Sequence, residues 1–329
     1  MKYLFIIVAL LSSATLSHAQ ELYCKTYGHN KNQPVIFMHG GPGSSSIAFG
    51  VTTAQRLADN GFYVITYDRR GEGLSLSTNA QYTFQQTFDD LNQIYKKYGI
   101  QKAILIGFSF GGIVTTLYAE QYPEKIKSLI LVSSLLSQPE TYQTVLAKSK
   151  EIYQAQKDTL GLKDILSIEN MDKHSFQYRA ACFRHSSKNG FFNTKNQNAF
   201  AKSLYAKLAT DTAYLKFSSQ KNDDAVNGFW KNENYSTKSI IPILKKLQSN
   251  KMEIYALYGK DDGLFSKNQI SELENITGKS RLRYYENCSH YLYTDQQDKF
   301  INALKNYATI KYYHSIDNLS LIIARHSSN

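Results

Sequence analysis

The segment Gly107-Phe108-Ser109-Phe110-Gly111 constrains the fold of this chain more than any other stretch. An apolar run at 103–106 precedes it and a second at 112–117 follows it, so the pattern predicts a strand, a sharp turn and a helix. Glycines at 107 and 111 fit positions where a Cβ would strike the neighbouring strand or helix. We therefore expect Ser109 to stand exposed at the carboxyl end of the strand, where a nucleophile would be placed.

Apolar strand patterns alternate with helical patterns on both sides of this turn. The strand patterns lie at 34–38, 62–67, 129–132, 252–258 and 281–285. Because these runs are apolar throughout instead of alternating with polar residues, they predict strands buried on both faces. The expected fold class is α/β, a mostly parallel sheet with helices on both faces. Ligands of such sheets bind beyond the carboxyl ends of the strands, where Ser109 is expected.

The strand signal disappears between residues 136 and 250, a polar and tyrosine-rich stretch. Helical patterns are found there near 140–159, 173–186, 197–217 and 236–249, and they predict an inserted helical cap. The chain then divides into a leader at 1–19, a core at 20–135 and 251–310, a cap at 136–250 and a tail at 311–329. The tail contains the apolar patch 319–323, for which the sequence suggests no place.

Residues 1–19 have the pattern of a secretory signal peptide. Lys2 is followed by an apolar run at 4–11 and by Ser17-His18-Ala19, a small-x-small cleavage pattern. The run is too short for a membrane span, and no later stretch approaches the roughly 20 apolar residues that a span requires. We expect cleavage after Ala19 and a secreted or periplasmic protein.

The charge of the mature chain is basic but diffuse. One of the 38 basic side chains and none of the 27 acidic ones lies in the leader, which leaves a net charge of +10. The lysines are scattered, so a solvated basic surface is favoured over nucleic-acid binding. The expected partner is a small-molecule or short-peptide substrate, and the oligomeric state stays open.

The mature chain has three cysteines, Cys24, Cys182 and Cys288. An odd number in an oxidising compartment permits at most one disulfide with one thiol left over, and the sequence does not indicate which pair would form it. No pair has the spacing of metal ligands, so burial as small apolar side chains is the default expectation. We expect no metal and no cofactor.

A serine hydroxyl needs a base within hydrogen-bond reach and a third group that orients the base. Of the eight histidines, His290 alone follows a late core strand. It lies 28 residues after Asp262, which gives the order nucleophile, acid, histidine expected on successive strand ends. Asp261 competes with Asp262 for the role of the acid.

Two backbone amides are candidates for an oxyanion hole, which stabilises negative charge on the reacting oxygen. The amide of Phe110 follows the nucleophile, and the amide of Gly41 lies in the loop His39-Gly40-Gly41-Pro42-Gly43 after a core strand. A phosphate-binding role for this loop is the alternative. It is disfavoured because no Gly-Lys-Ser/Thr follows and no helix opens directly on the loop.

These motifs together resemble the α/β-hydrolase family, and particularly its proline iminopeptidase branch. The His39–Gly43 loop and the segment Asp68-Arg69-Arg70-Gly71-Glu72-Gly73-Leu74-Ser75 carry the resemblance to that branch, whereas the serine, acid and histidine motifs are shared across the family. The resemblance implies Ser109 as nucleophile, His290 as base and Asp262, three residues after Gly259, as orienting acid. It also implies Gly41 and Phe110 as oxyanion donors, with Asp68 and Arg70 bracing loops.

The chain also departs from that branch. Its iminopeptidases usually have Gly-Gly-Ser-Trp-Gly-Gly at the turn, where this chain has Phe108 and Phe110. Their caps carry acidic residues that hold the free amine of the substrate, and the matching candidate here is Glu233, for which a solvated loop carboxylate is the favoured interpretation. One or more of the family's leading antiparallel strands are also expected to be missing.

The sequence therefore predicts an exported serine hydrolase that forms an acyl-enzyme intermediate. Release of an N-terminal residue from peptides, as in proline iminopeptidases, and ester hydrolysis of the carboxylesterase or lipase type are close alternatives. Dehalogenase and epoxide hydrolase chemistry is disfavoured because those relatives have aspartate where this chain has Ser109. The alternative from another class is a non-catalytic ligand-binding protein on a hydrolase scaffold.

Overall fold

The computed structural model describes residues 21–76 and 79–308. Its seven strands form one sheet in the order β1-β3-β2-β4-β5-β6-β7. β1 pairs antiparallel with β3, and every other neighbouring pair is parallel. The strands are β1 Cys24–Tyr27, β2 Gln33–Met38, β3 Phe62–Tyr67, β4 Ala103–Phe108, β5 Ile126–Val132, β6 Ile254–Gly259 and β7 Leu282–Tyr285.

Successive side chains of the central strands point to opposite faces of the sheet, and both faces are apolar. On β2, Ile36 and Met38 join one buried cluster, while Val35 and Phe37 join the other. A strand without polar positions cannot leave either face in water, so helices must cover both. This is why the unbroken apolar runs of the sequence predict a parallel sheet.

The helices fall on the two faces and in the segment between β5 and β6. Those of the core are α1 Ile47–Phe49 and α2 Gln55–Ala58 with the π-helical turn Gly50–Ala54 between them, α3 Phe84–Lys97, α4 Phe110–Gln121, α12 Lys267–Thr277, α13 Leu292–Asp295 and α14 at 297–308. Between β5 and β6 lie α5 Gln138–Gln156, α6 Thr159–Glu169, α7 Phe176–Lys188, α8 Ala199–Ala209, α9 Thr212–Gln220, α10 Asp224–Glu233 and α11 Ile241–Ser249. Helices α3, α4 and α12 cover one face of the sheet, and α1, α2 and α14 cover the other.

The predicted fold class is confirmed: a mostly parallel sheet with helices on both faces and a helical insertion. The prediction of one helix over 197–217 was wrong, because the chain breaks between α8 and α9, where the Asp211 side chain accepts a hydrogen bond from Tyr214 N and begins a new helix. Helices α6 and α10 were not predicted. The residue limits given above for the cap stay a prediction.

The sheet order brings distant parts of the sequence to one edge. β2, β4, β5, β6 and β7 are successive parallel neighbours, so their carboxyl ends meet at the same edge. The segments with candidate site residues follow four of these strands.

The leader at 1–19 and the tail at 311–329 lie outside the described residues. No described helix is both long and apolar enough to span a membrane.

Candidate active site

Ser109 lies on a strained turn between β4 and α4. Its backbone has φ 53° and ψ −121°, a combination that side-chain-bearing residues rarely adopt. A Cβ at position 107 would collide with Thr115 of α4, and one at position 111 would collide with the backbone carbonyl of Met38 on β2. Both glycines are thus required by close approach of the chain, as the sequence predicts. The turn places Ser109 at the carboxyl end of β4. Only 8% of the residue is exposed, so the expectation that it stands exposed was wrong. The glycine loop after β2 lies close to its Cβ.

Asp262 and His290 are joined by a short hydrogen bond. His290 Nδ1 lies 2.8 Å from Asp262 Oδ2, and both side chains are buried. Asp262 Oδ1 also accepts a hydrogen bond from the amide of Leu264. An ionised carboxylate accepts a hydrogen bond from a protonated Nδ1, which leaves Nε2 as the basic nitrogen. The neighbouring Asp261 instead accepts a hydrogen bond from Thr194.

Phe108, which precedes Ser109, contacts His290. The ring of Phe108, the residue before Ser109, lies 5.0 Å from the imidazole centroid. Among the described residues, no hydrogen bond joins the Ser109 hydroxyl to His290. Catalytic hydrogen bonds of this kind are often long without substrate and tighten when it binds. The structure therefore joins the predicted acid to the predicted base and places the residue before the predicted nucleophile in contact with that base.

The two predicted oxyanion donors flank Ser109. Phe110 begins α4 directly after it, and a Cβ on Gly40 would lie 3.1 Å from the Ser109 Cβ, so the glycine loop passes close to the serine. Within the described part of the chain, neither Gly41 nor Phe110 donates its backbone N–H to another residue. Unpaired amides beside a serine are suited to bind an oxygen that gains negative charge.

A buried ion pair holds the loop that contains Gly41. Arg69 donates to Glu72 at 2.7 Å, and it also donates to the carbonyls of His39 at 2.6 Å and Gly40 at 2.5 Å. Glu72 in turn accepts from the amide of Gly43 at 2.7 Å. The ion pair therefore fixes the glycine loop on both sides of Gly41.

A family model described as "alpha/beta hydrolase fold" matches residues 33–297 of this chain. The chain belongs to the α/β-hydrolase family.

Similar proteins support the narrower resemblance as well. A proline iminopeptidase of Lactobacillus delbrueckii subsp. bulgaricus is 31% identical over 172 residues, 49% of this chain and 58% of the relative. A proline iminopeptidase of Saccharolobus solfataricus is 25% identical over 298 residues, 87% of this chain and 88% of the relative. The chain thus spans little more than half of the first relative's length. The resemblance of this α/β-hydrolase to the proline iminopeptidase branch is confirmed.

A solved esterase structure has the same fold. An esterase from Exiguobacterium antarcticum matches with a TM-score of 0.58 and 17% sequence identity, over 87% of this chain and 94% of the esterase. At this identity the comparison shows the fold alone. The fold of this α/β-hydrolase therefore also occurs in a protein described as an esterase.

His39 helps to position the oxyanion loop of this α/β-hydrolase. Its Nε2 accepts from the amide of Arg69 at 3.0 Å, and its Nδ1 lies 3.0 Å from the carbonyl of Gly40, to which it donates. Burial and the nearby Arg69 charge lower the pKa of His39 well below its usual value. A neutral imidazole can accept at one nitrogen and donate at the other, which both contacts require.

Asp68 and Arg70 brace loops, as the resemblance implies. Asp68 accepts from the amide and hydroxyl of Ser46 and from the amide of Leu74. Burial nevertheless raises the pKa of Asp68 to about 6. Arg70 forms a two-bond ion pair with Asp90 of α3.

The interpretation of Glu233 as a solvated loop carboxylate was wrong, because Glu233 is the last residue of α10 and is half-buried. Its Oε1 accepts from the backbone N–H of Phe84 at 2.7 Å, at the start of α3. A carboxylate at a helix N-terminus is stabilised by the unpaired amides and by the helix dipole. The suggested role of Glu233 in holding a substrate amine gains no support from this contact and stays a prediction.

A loop of the insertion, residues 190–198, holds the acid and base segments together. The carbonyl of Phe191 accepts both from the amide of Gly263, next to Asp262, and from the hydroxyl of Ser289, next to His290. The ring of Phe192 lies 5.3 Å from the imidazole. No local pattern in the sequence indicates these contacts, because the partners are about 70 to 100 residues apart.

All three cysteines are free. Burial raises the pKa of Cys24 to about 11 and that of Cys182 to about 12, and it raises the pKa of Cys288 further. Such thiols are poor nucleophiles, since the thiolate is the reactive form.

Among the described residues, no group of three or more His, Cys, Asp or Glu side chains could hold a metal ion.

We expect Glu72→Ala to lower the free energy of unfolding by about 3–5 kcal/mol, because the change leaves the Arg69 charge buried without its partner. Urea denaturation of both proteins measures the loss. Glu286→Ala is the matched control, since Glu286 pairs with Lys260 while 67% exposed. The Glu286→Ala change should lower the free energy of unfolding by less than about 1 kcal/mol. Equal losses in the two variants would contradict the bracing role of Glu72.

Proposed function

We propose that this α/β-hydrolase is a serine hydrolase that works through an acyl-enzyme intermediate. The observation that carries the proposal is the hydrogen bond of 2.8 Å between His290 Nδ1 and Asp262, in an imidazole that packs against Phe108, the residue before a serine on a strained turn. Ser109 is the nucleophile, His290 the base and Asp262 the acid that orients it. The amides of Gly41 and Phe110 form the oxyanion hole.

The first half of the reaction acylates the serine. Ser109 Oγ attacks the substrate carbonyl carbon while its proton passes to His290 Nε2, and the carbonyl oxygen becomes an oxyanion that the two amides bind. When the tetrahedral intermediate collapses, the bond to the leaving group breaks and the leaving group takes the proton from His290. Asp262 stabilises the imidazolium that exists between these steps.

The second half releases the acyl group. A water molecule gives a proton to His290 Nε2 and attacks the ester carbonyl of the acyl-enzyme. The second tetrahedral intermediate collapses with proton return to Ser109 Oγ, and a carboxylic acid leaves. Two backbone amides stabilise both oxyanions, each contributing on the order of 3 kcal/mol to the lowering of the barrier.

The first candidate substrate class is a peptide or arylamide with an N-terminal proline. It is supported by the proline iminopeptidase relatives and by the matching glycine loop. The second class is a short carboxylic ester. The Glu233 contact favours it, because the one suggested amine-binding carboxylate already accepts from the start of α3.

A substrate panel on the purified mature protein tests these classes. If proline para-nitroanilide is cleaved, the aminopeptidase candidate stands, and if only para-nitrophenyl esters are cleaved, the esterase candidate stands. A fluorophosphonate probe tests the non-catalytic alternative, since only an activated serine reacts with it. No labelling and no turnover on any ester or amide would overturn the serine hydrolase proposal.

We also propose that the protein is exported after cleavage at Ala19, on the basis of the leader pattern in residues 1–19. Mass spectrometry of the protein expressed with its leader should find a mature chain that begins at Gln20. An intact N-terminus in cell extract would overturn this proposal.

A further inference from the structure

The insertion contains a group of buried polar atoms without partners. Among the described residues, six such side-chain atoms belong to the start of α5, to the turn Tyr235–Thr237 and to α7: Gln138 Oε1, Thr141 Oγ1, Tyr142 OH, Arg179 Nε, Tyr235 OH and Ser236 Oγ. A buried polar atom without a partner costs about 1–3 kcal/mol, so proteins rarely keep several together without a use. Tyr142 and Tyr235 are almost completely buried.

Arg179 is the charged member of this group. Its guanidinium lies 4.9 Å from the ring centroid of Phe183 and 5.3 Å from that of Tyr235. No carboxylate in the described part of the chain forms an ion pair with Arg179, whereas Arg184 on the same helix pairs with Asp164 at the surface. Aromatic rings on two sides hold the guanidinium in place without using its hydrogen-bond donors.

The group lies next to the candidate active site. The ring of Tyr235 is 5.2 Å from that of Phe110, whose amide is an oxyanion donor. On the other side, the ring of Phe183 stacks on Phe192 at 6.4 Å, and Phe192 contacts the His290 ring at 5.3 Å. Arg179 is therefore connected through short chains of ring contacts to both halves of the catalytic machinery.

The two tyrosine hydroxyls are hydrogen-bond donors at any ordinary pH. Burial raises the pKa of Tyr235 to about 12, although the nearby Arg179 charge lowers it in part. Burial raises the pKa of Tyr142 still further. Arg179 is close enough to Tyr235 to act on its ionisation, yet no hydrogen bond of normal geometry joins them. Both hydroxyls and the Nε of the guanidinium thus have no hydrogen-bond partner of normal geometry among the described residues.

We propose that Arg179, Tyr142 and Tyr235 bind a carboxylate group of the substrate, an inference that rests on the serine hydrolase function proposed above. A guanidinium presents paired N–H donors that match the two oxygens of a carboxylate, and neutral hydroxyls can satisfy its remaining lone pairs. The same charge repels a free ammonium group. The cap therefore selects for an anion where the iminopeptidase resemblance implies selection for an amine.

Matched ester pairs test the inference and locate the carboxylate within the substrate. The mono-para-nitrophenyl ester of adipic acid and para-nitrophenyl hexanoate differ by a carboxylate at the end of the acyl chain. Para-acetoxybenzoate and para-acetoxybenzamide differ by a carboxylate on the leaving group. We expect wild-type protein to prefer the anionic member of at least one pair, by about tenfold or more in kcat/KM.

Arg179→Gln should remove this preference. We expect kcat/KM for the preferred anionic ester to fall about 10- to 100-fold, with the neutral ester changed less than about twofold. Arg184→Gln is the matched control and should leave both esters unchanged. Tyr235→Phe provides a second variant that removes only a hydroxyl without a protein partner among the described residues, so it should fold normally and lose about threefold to tenfold on the anionic ester.

The outcomes separate the two proposals. If the fluorophosphonate labels wild-type protein and neutral esters are cleaved, but neither anionic ester is preferred or depends on Arg179, the carboxylate inference is overturned and the hydrolase proposal stands. If the probe does not label wild-type protein and no ester is cleaved, the hydrolase proposal itself fails, and the carboxylate inference fails with it.

Discussion

Ser109→Ala should lower kcat on the best substrate of the panel by at least about 10³-fold and abolish labelling by a fluorophosphonate. The methyl group cannot attack a carbonyl, so no acyl-enzyme can form. The oxyanion amides and the substrate contacts remain, and they account for any residual rate. Steady-state kinetics and intact-protein mass spectrometry after labelling measure the two effects separately.

Ser133→Ala is the matched control for this change. Ser133 follows the neighbouring strand β5, also has a positive φ, 43°, and is completely buried. Because its hydroxyl has no hydrogen-bond partner among the described residues, the change breaks no contact, and its variant should keep both labelling and turnover. Persistent labelling of Ser109→Ala at the wild-type rate would show that another residue is the nucleophile.

Asp262→Asn should lower kcat by about 10³- to 10⁴-fold with little change in fold. The asparagine amide can donate to His290 Nδ1, which places the ring proton on Nε2 and removes the base that must accept from Ser109. The change also removes the negative charge that stabilises the imidazolium. The rate of fluorophosphonate labelling should fall in parallel, because labelling needs the same proton transfer.

Asp261→Asn is the control that the chain itself offers, one residue away. Asp261 accepts from Thr194 in the loop 190–198, whereas Asp262 is the carboxylate that accepts the hydrogen bond from His290 Nδ1. We expect the kcat of the Asp261 variant to stay within about threefold of the wild-type value, because the change weakens only one hydrogen bond at the surface. Should Asp261→Asn be the crippled variant while Asp262→Asn keeps its activity, the assignment of the orienting acid is wrong.

The carboxylate inference changes how the specificity of this α/β-hydrolase is tested. Substrates designed for proline iminopeptidases carry a positive charge at the reacting end, whereas Arg179 favours a negative one. A panel limited to aminoacyl arylamides would then report a weak enzyme for a reason unrelated to Ser109. Anionic esters belong in the first panel for that reason.

The sheet and the turn at Ser109 could be predicted from sequence because they depend on neighbouring residues. Apolar periodicity identifies strands, and a Cβ at 107 would meet Thr115 on the helix that follows, although one at 111 would meet the carbonyl of Met38 on the distant strand β2. The order of Ser109, Asp262 and His290 follows from the succession of strand ends. The helices of the insertion were predicted less well, since α8 and α9 share one polar and aromatic pattern and separate only at a two-residue break.

By itself, the sequence determined the α/β class, the elbow and the candidate nucleophile, acid and base. The tertiary structure alone decided that Arg69 and Glu72 hold the oxyanion loop, that Glu233 is bonded to the start of α3 and that Arg179 has no carboxylate partner among the described residues. The first two outcomes depend on which side chains meet across 29 to 149 residues of chain. Local patterns specify each element, whereas the partner of a buried charge is set only when the elements pack together.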